Sequence, residues 1–254
     1  MGKNMEIRLD LLVVELGFAQ GRNKAQELIE SGEIMVEGKQ ILKPSKKVSR
    51  ASQIILKKDT FPYVSRAGVK LKKALDVFEI VCQGKIALDV GACTGGFSDC
   101  LLMEGAARVY ALESGHDQLA DKLRKDSRII NLENCSIQSA NPSMIPELVD
   151  ILTIDVSFTS IIDVLPSCLP FLKESCEIIA LIKPQFEVLK KDRKKNGVVK
   201  SDACYPILLE KMQTFFLETG IQTQGIIESP ILGGEGNKEF LLYGKNSPNN
   251  PSKG

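Results

Sequence analysis

Residues 86–97, Ile-Ala-Leu-Asp-Val-Gly-Ala-Cys-Thr-Gly-Gly-Phe, join an apolar run carrying one acidic residue to a glycine-rich turn. The run reads as a strand. Gly91, Gly95 and Gly96 let the backbone turn sharply and approach a ligand, and the apolar segment Phe97 to Met103 opens a helix whose free N–H groups face it. The spacing Gly-x-x-x-Gly-Gly matches neither the dinucleotide fingerprint nor the phosphate loop, which disfavours NAD and ATP. A second apolar strand, Val109 to Leu112, ends at Glu113, where Rossmann-like folds place a carboxylate for a ribose diol. The pattern predicts a site for S-adenosylmethionine formed by Asp89, Gly91, Ala92, Cys93, Thr94, Gly95, Gly96, Phe97 and Glu113. An ordinary strand-to-helix turn would account for the glycines but not for Glu113.

The 254 residues, 43% of them hydrophobic, can bury a sizeable core as one large domain with a small one. No apolar run approaches the ~18 residues of a membrane span, and Met-Gly-Lys-Asn-Met-Glu lacks a secretory signal, so a cytoplasmic location is expected. Seven cysteines without a Cys-x-x-Cys pair, and a single histidine, make disulfides and a metal site improbable. Residues 1–82 hold 15 Lys/Arg against 10 Asp/Glu and the remainder 18 against 22, so the basic part is N-terminal. That asymmetry suits a nucleic-acid partner, although a solvated surface shows it too.

Leu9, Leu12, Val13 and Leu16 recur at helical spacing, which predicts a helix over Arg8 to Glu15; Ala25, Leu28 and Ile29 predict another from about Asn23 to Ser31. Ile34-Met35-Val36 and the turn Glu37-Gly38 predict a hairpin. Arg-Leu-Asp, then Arg-x-x-Ala-x-x-Leu-Ile-x-x-Gly-x-Ile-x-Val-x-Gly, then Lys43-Pro44, resemble the small RNA-binding S-four domain. On that resemblance Arg8, Arg22, Lys24, Lys39, Lys43, Lys46, Lys47 and Arg50 would contact RNA phosphates without reading bases. The domain is expected over 1–58, a linker over 59–64, a catalytic domain over 65–246 and a disordered tail over 247–254.

Beyond the linker, Leu71, Ala74, Leu75 and Phe78 mark a helix. Short apolar runs follow at Ile86–Asp89, Val109–Glu113, Ile129–Leu132, Val149–Asp155 and Ile178–Ile182, alternating with helical segments; this predicts an α/β fold with a parallel sheet covered on both faces. A helix over Tyr205–Thr219 and strands near Gln224–Glu228 and Phe240–Tyr243 complete it. Ligands of such sheets bind beyond the carboxyl ends of the strands, which directs attention to Asp155 and Lys183. Either could instead be a solvated strand-end charge. Asp155-Val156-Ser157-Phe158 differs from the Asn/Asp-Pro-Pro-Tyr/Phe segment of amino-group methyltransferases, so a hydroxyl is the better substrate guess. The run Lys190 to Lys195, in a loop after Lys183, could add phosphate contacts or be merely solvated.

Taken in order, the S-four pattern, Val64-Ser-Arg-Ala-Gly-Val-Lys-Leu71, Gly-Ala-Cys-Thr-Gly-Gly-Phe, Asp-Val-Ser-Phe, Lys-Pro-Gln-Phe-Glu and Gly-Asn-Lys-Glu-Phe resemble the TlyA family. The resemblance implies a Rossmann-like class I methyltransferase domain of FtsJ type and ribosomal RNA cytidine 2′-O-methylation. Its Lys-Asp-Lys-Glu tetrad carries over to Lys70, Asp155, Lys183 and Glu239. Cys93 stands where the family usually has serine, residues 60–64 lack its Arg-x-Trp-Val, and Glu133-Asn134-Cys135-Ser136 departs from its usual segment. Lys183 is the candidate base, but the four charges form one coupled unit, and the sequence leaves open which of the two lysines is neutral. The apparent lack of an N-terminal extension and of a final helix resembles the short subclass, implying a cytidine of 23S RNA in the 50S subunit and an effect on capreomycin-type antibiotics. The alternative is a catalytically inactive RNA-binding assembly factor. A pore-forming haemolysin, the family's older label, finds no membrane-span or barrel pattern in the chain.

Overall fold

The computed structural model describes residues 6–16, 18, 19, 21–56, 62–194, 197–233 and 236–246. The chain divides into two compact units, Met1–Thr60 and Phe61–Gly254. Residues 57–61 and the expected tail, 247–254, lie outside the described residues.

In the first unit β1 (Glu6–Arg8) runs straight into α1 (Leu9–Glu15), followed by α2 (Arg22–Glu30), β2 (Ile34–Val36), β3 (Lys39–Gln40), β4 (Lys47–Ser49) and β5 (Ile54–Leu56). The apolar stripes of both helices face inward: Leu9, Leu12, Val13, Ala25, Leu28 and Ile29 are buried against Ile34, Val36 and Val48. β2 lies between β3 and β5, antiparallel to both, and β1 pairs with β4. Helical periodicity could not reveal β1 or β4, which are three residues each and exist because they pair across a long stretch of chain.

The second unit comprises α3 (Ala67–Val77), β6 (Ile86–Val90), α4 (Gly96–Met103), β7 (Arg108–Leu112), α5 (Asp121–Arg124), β8 (Ile129–Leu132), β9 (Val149–Ile154), α6 (Ile161–Cys168), β10 (Leu172–Ile182), α7 (Pro184–Glu187), α8 (Cys204–Glu218), β11 (Ile221–Glu228) and β12 (Phe240–Asn246). The strands form one sheet in the order β11-β12-β10-β9-β6-β7-β8. β6 to β10 are parallel, whereas β12 runs antiparallel to both β10 and β11. The sheet is therefore mixed rather than wholly parallel. A parallel crossover needs a helix-length connection, and no helix separates β11 from β12 among the described residues.

Continuous apolar runs form the central strands because both faces are covered. Ala87, Ile151, Ile179, Leu181 and Leu241 pack with Leu71 and Leu75 of α3 and with Phe97 and Leu101 of α4. Their alternating neighbours, Leu88, Leu152, Ile178, Ala180 and Leu242, pack with α6 and α8 through Val164, Leu165, Met212 and Phe216. Asp89 interrupts the run on the α3/α4 side. It is fully buried, accepting from Ser98 Oγ at 2.6 Å and Thr153 Oγ1 at 2.8 Å, which ties β6 to α4 and to β9.

Burial pushes the Asp89 carboxyl up to about 6, and the bonds from Ser98 and Thr153 only partly oppose this. Between an unfolded value of about 4 and the folded one, the folded state holds a proton the unfolded chain has released. The stabilising contribution is thus complete below about pH 4 and is lost as pH rises through about 6. In urea titrations, the stability of the unsubstituted protein relative to Asp89→Asn should fall by on the order of 3 kcal/mol from pH 4 to pH 7. A flat difference would count against a buried titrating Asp89.

Candidate active site

The chain passes from β6 outward to β7 and β8 and then returns to β9 on the opposite side of β6, so a crevice opens at the carboxyl ends of β6 and β9. Asp155 N donates to Val90 O at 2.9 Å, and the N–H groups of Gly91 and Ala92 both donate to Leu112 O. Gly91 has φ +84°, and a Cβ there would sit 2.5 Å from the Asp155 carbonyl oxygen. Only glycine fits between these strand ends. At Gly96 a Cβ would meet Ser65 Oγ at 2.2 Å and Ala67 Cβ at 2.8 Å, so its missing side chain lets the start of α3 approach α4.

The loop is held by Glu113. Its carboxylate accepts from Cys93 N at 3.0 Å, Gly115 N at 2.8 Å and Ser114 Oγ at 3.2 Å. Cys93 has φ +49° and an exposed side chain, Ala92 and Phe97 are buried, and the Thr94 carbonyl accepts from Ala120 N. A cavity of about 200 Å³ adjoins Gly91, walled by Val90, Leu112, Ile137 and Val156 with Cys135 and Ser136. Sequence reading did not make a wall of these residues: Val90, Leu112 and Val156 read only as parts of apolar runs or motifs, and Cys135, Ser136 and Ile137 lie after β8 in a segment without periodicity that reaches the crevice only through the fold. It also missed Glu133, which accepts from Gln118 N at 2.7 Å and Leu119 N at 3.0 Å and pairs with Arg124 at 2.9 Å. Although burial opposes it, hydrogen bonds from Asn131, Leu119 and Gln118 and the Arg124 charge hold Glu133 down to about 2. An ionised Glu133 thus fixes the segment after β7.

The four tetrad residues meet as two ion pairs. Lys70 Nζ lies 2.5 Å from Glu239 Oε2, with the side chains 11% and 3% exposed, and Lys183 Nζ lies 2.6 Å from Asp155 Oδ1, with the side chains 12% and 14% exposed. The sheet brings them together. Ala180 is level with Ile154 and Ile182 with Phe240, so Asp155, Lys183 and Glu239 sit on three adjacent strand ends. Each continues the side-chain alternation toward the face covered by α3, and Lys70 comes from α3. Lys183 Nζ also donates to Ser157 Oγ at 2.8 Å. Nearby, Phe158 has φ +65°, is 91% exposed, and its ring centroid stands 5.1 Å from that of Phe186.

In the first unit the basic residues fall into two groups. Arg8 and Arg22 both pair with the fully buried Asp10, at 2.7 and 3.1 Å, and Gln26 Nε2 donates to it at 3.0 Å. The Arg8 guanidinium, with Gln26 and Arg22, holds the Asp10 carboxyl well below the usual range despite burial. Lys24 pairs with Glu27 and Arg50 with Glu15. Lys39, Lys43, Lys46 and Lys47 are exposed and carry no ion pair among the described residues.

The strand order, the single antiparallel strand beside β10 and a glycine loop above β6 define an S-adenosylmethionine-dependent methyltransferase. Residues 63–246 match the FtsJ-like methyltransferase model and residues 7–54 the S4 domain model, and the chain belongs to the FtsJ-like methyltransferase family. It is 36% identical to the 16S/23S rRNA (cytidine-2′-O)-methyltransferase TlyA of Mycobacterium tuberculosis, over 93% of this chain and 88% of that one. It is 35% identical to the 23S rRNA (cytidine-2′-O)-methyltransferase TlyA of Campylobacter jejuni, over 87% of this chain and 93% of that one. A solved structure of a hemolysin candidate from Streptococcus thermophilus superposes with TM-score 0.76 at 35% identity, covering 96% of this chain and 90% of that one. No helix among the described residues is long and apolar enough to cross a membrane.

Because Lys70 and Glu239 are both nearly buried, Glu239→Gln should leave the ammonium without its counter-charge and lower the unfolding free energy by roughly 3 kcal/mol. The double variant Lys70→Met with Glu239→Gln should regain most of that loss. Urea midpoints of the three proteins test this.

Proposed function

We propose that the chain transfers a methyl group from S-adenosylmethionine to the 2′-hydroxyl of a cytidine in 23S ribosomal RNA within the 50S subunit. The carrying observation is the pair of ion pairs, Lys183–Asp155 and Lys70–Glu239, gathered at three adjacent strand ends beside the glycine loop. The residues present fit the cofactor: Gly91 leaves the crevice open, the cavity supplies apolar walls for an adenine, and the Glu113 carboxylate retains acceptor capacity for a ribose hydroxyl. Asp89 acts from beneath, holding the strand that carries the loop. Cys93, Thr94 and Gly95 belong to the loop's exposed and packed sides and complete the cradle.

The bound cofactor supplies an electrophilic methyl group. What the protein must add is in-line placement of the hydroxyl and removal of its proton. Lys183, as the neutral amine, takes that proton at Nζ and becomes the ammonium that the Asp155 carboxylate balances; Lys70, paired with Glu239, completes the polar end of the site. The exposed ring of Phe158 offers a surface on which a base can stack. Lys39, Lys43, Lys46 and Lys47 would contact RNA phosphates, with Arg8 and Arg22 contributing their exposed edges. The large subunit is favoured because 23S RNA appears in the names of both TlyA relatives and 16S RNA in only one. An enzyme acting on ribosomes would work in the cytoplasm, and loss of its methyl mark would alter sensitivity to capreomycin-type antibiotics. An inactive assembly factor would have no need of two intact, nearly buried ion pairs.

Incubation of the protein with labelled S-adenosylmethionine and unmethylated 30S or 50S subunits should place label on a cytidine ribose of 50S RNA. Label on a base, or equal labelling of 30S RNA, would overturn the assignment. Lys183→Ala should lower turnover by roughly two to four orders of magnitude with cofactor affinity nearly unchanged by calorimetry. Replacing Lys39, Lys43, Lys46 and Lys47 together by Ala should reduce the slope of log affinity against log salt by about 3.

A further inference from the structure

Among the described residues Lys183 Nζ contacts Asp155 and Ser157, and they do different things. Asp155 Oδ1 is closest, at 2.6 Å, yet it has no hydrogen bond of acceptable direction among the described residues, so the contact is one of charge. Ser157 Oγ, at 2.8 Å, accepts a properly directed hydrogen bond from Nζ. Charge attraction varies slowly with angle, whereas a hydrogen bond weakens steeply away from its axis. An amine is free to rotate about Cε–Nζ unless a directional partner stops it.

We infer that Ser157 is a positioning residue for methyl transfer: when Lys183 is the neutral amine, Ser157 takes one of its N–H groups and so fixes where its lone pair, which must receive a substrate proton, points. The inference rests on the reading of Lys183 as the base.

The loop bearing Ser157 is built to hold such a position. Residues 155–161 are matched along their length by residues 183–187. Lys183 meets Asp155 and Ser157, the Phe186 ring packs tilted against that of Phe158 with centroids 5.1 Å apart, and Glu187 accepts from Ser160 Oγ at 2.5 Å and Ile161 N at 2.9 Å. At the other end Asp155 N is bonded to Val90 O at 2.9 Å. A serine in a free loop would add little. One clamped on both sides holds the amine in a fixed place, and a misplacement of about 1 Å can cost on the order of a hundredfold in rate.

The test compares Ser157→Ala and Ser157→Thr with the unsubstituted protein in methyl transfer to unmethylated 50S subunits, alongside calorimetric cofactor binding. Ser157→Ala should lower kcat by about ten- to a hundredfold, with KM for RNA and the cofactor Kd within about twofold, because misplacement by a fraction of an ångström affects only the chemical step. Ser157→Thr, which keeps the hydroxyl, should recover most of the rate. A normal kcat in Ser157→Ala would overturn the inference, as would a threonine variant as slow as the alanine one or a loss confined to KM or cofactor Kd. If the unsubstituted protein methylates no RNA ribose, the proposed function falls and this inference with it; activity in that protein with no effect of Ser157→Ala removes the inference alone.

Discussion

Strand register is the constraint on which the rest of this structure depends. Asp155, Lys183 and Glu239 reach one face of the sheet because β9, β10 and β12 are held level with one another. A slip of one residue in any of them would turn its charged end residue to the opposite side, away from Lys70. What prevents the slip is burial on both faces. In β10, Ile178, Ala180 and Ile182 belong to one core and Ile179 and Leu181 to the other, so a slip would exchange the side chains fitted against each layer of helices and leave both cores mispacked. The chemistry at the strand ends is therefore secured by packing in the strand interiors.

The second theme is the handling of buried charge. Lys70 and Glu239 compensate each other directly, as do Asp10 and its two arginines in the first unit. Asp89 has no paired cation among the described residues and relies on the Ser98 and Thr153 hydroxyls and the Ser98 backbone N–H, which leaves its ionised form penalised by burial. These are different solutions to one physical problem. A compensated pair carries its charge against a neighbouring counter-charge, whereas the Asp89 carboxyl, accepting from Ser98 and Thr153, ties a strand to a helix and to the next strand.

Two loops show how rigidity is supplied where the backbone lacks regular structure. The glycine loop above β6 is gripped by Leu112 O and by the Glu113 carboxylate, and the loop after β9 by residues 183–187. In each case the partner lies on the neighbouring strand's outgoing segment, so the sheet fixes both the loop and what grips it. Phe158, with its positive φ and exposed ring, is the residue that this second grip holds in an unfavourable backbone region.

The sequence by itself determined the alternation of strands and helices, the glycine loop at its place after β6, and the motifs that carry Lys70, Asp155, Lys183 and Glu239. Such features are local: apolar runs, helical stripes and residue order survive in one dimension. Short β1 and β4, the polar opening of β10 at Lys173 and Glu174, and the antiparallel course of β12 were not legible, because each arises from pairing between distant segments rather than from its own residues. The sequence also could not say which charges join. Only the tertiary structure paired Lys70 with Glu239 and Lys183 with Asp155, withdrew Arg8 and Arg22 toward Asp10 while leaving Lys39, Lys43, Lys46 and Lys47 exposed, and set Ser157 against the amine of Lys183. A charge's role depends on what lies within a few ångströms of it, and folding, rather than spacing along the chain, decides that.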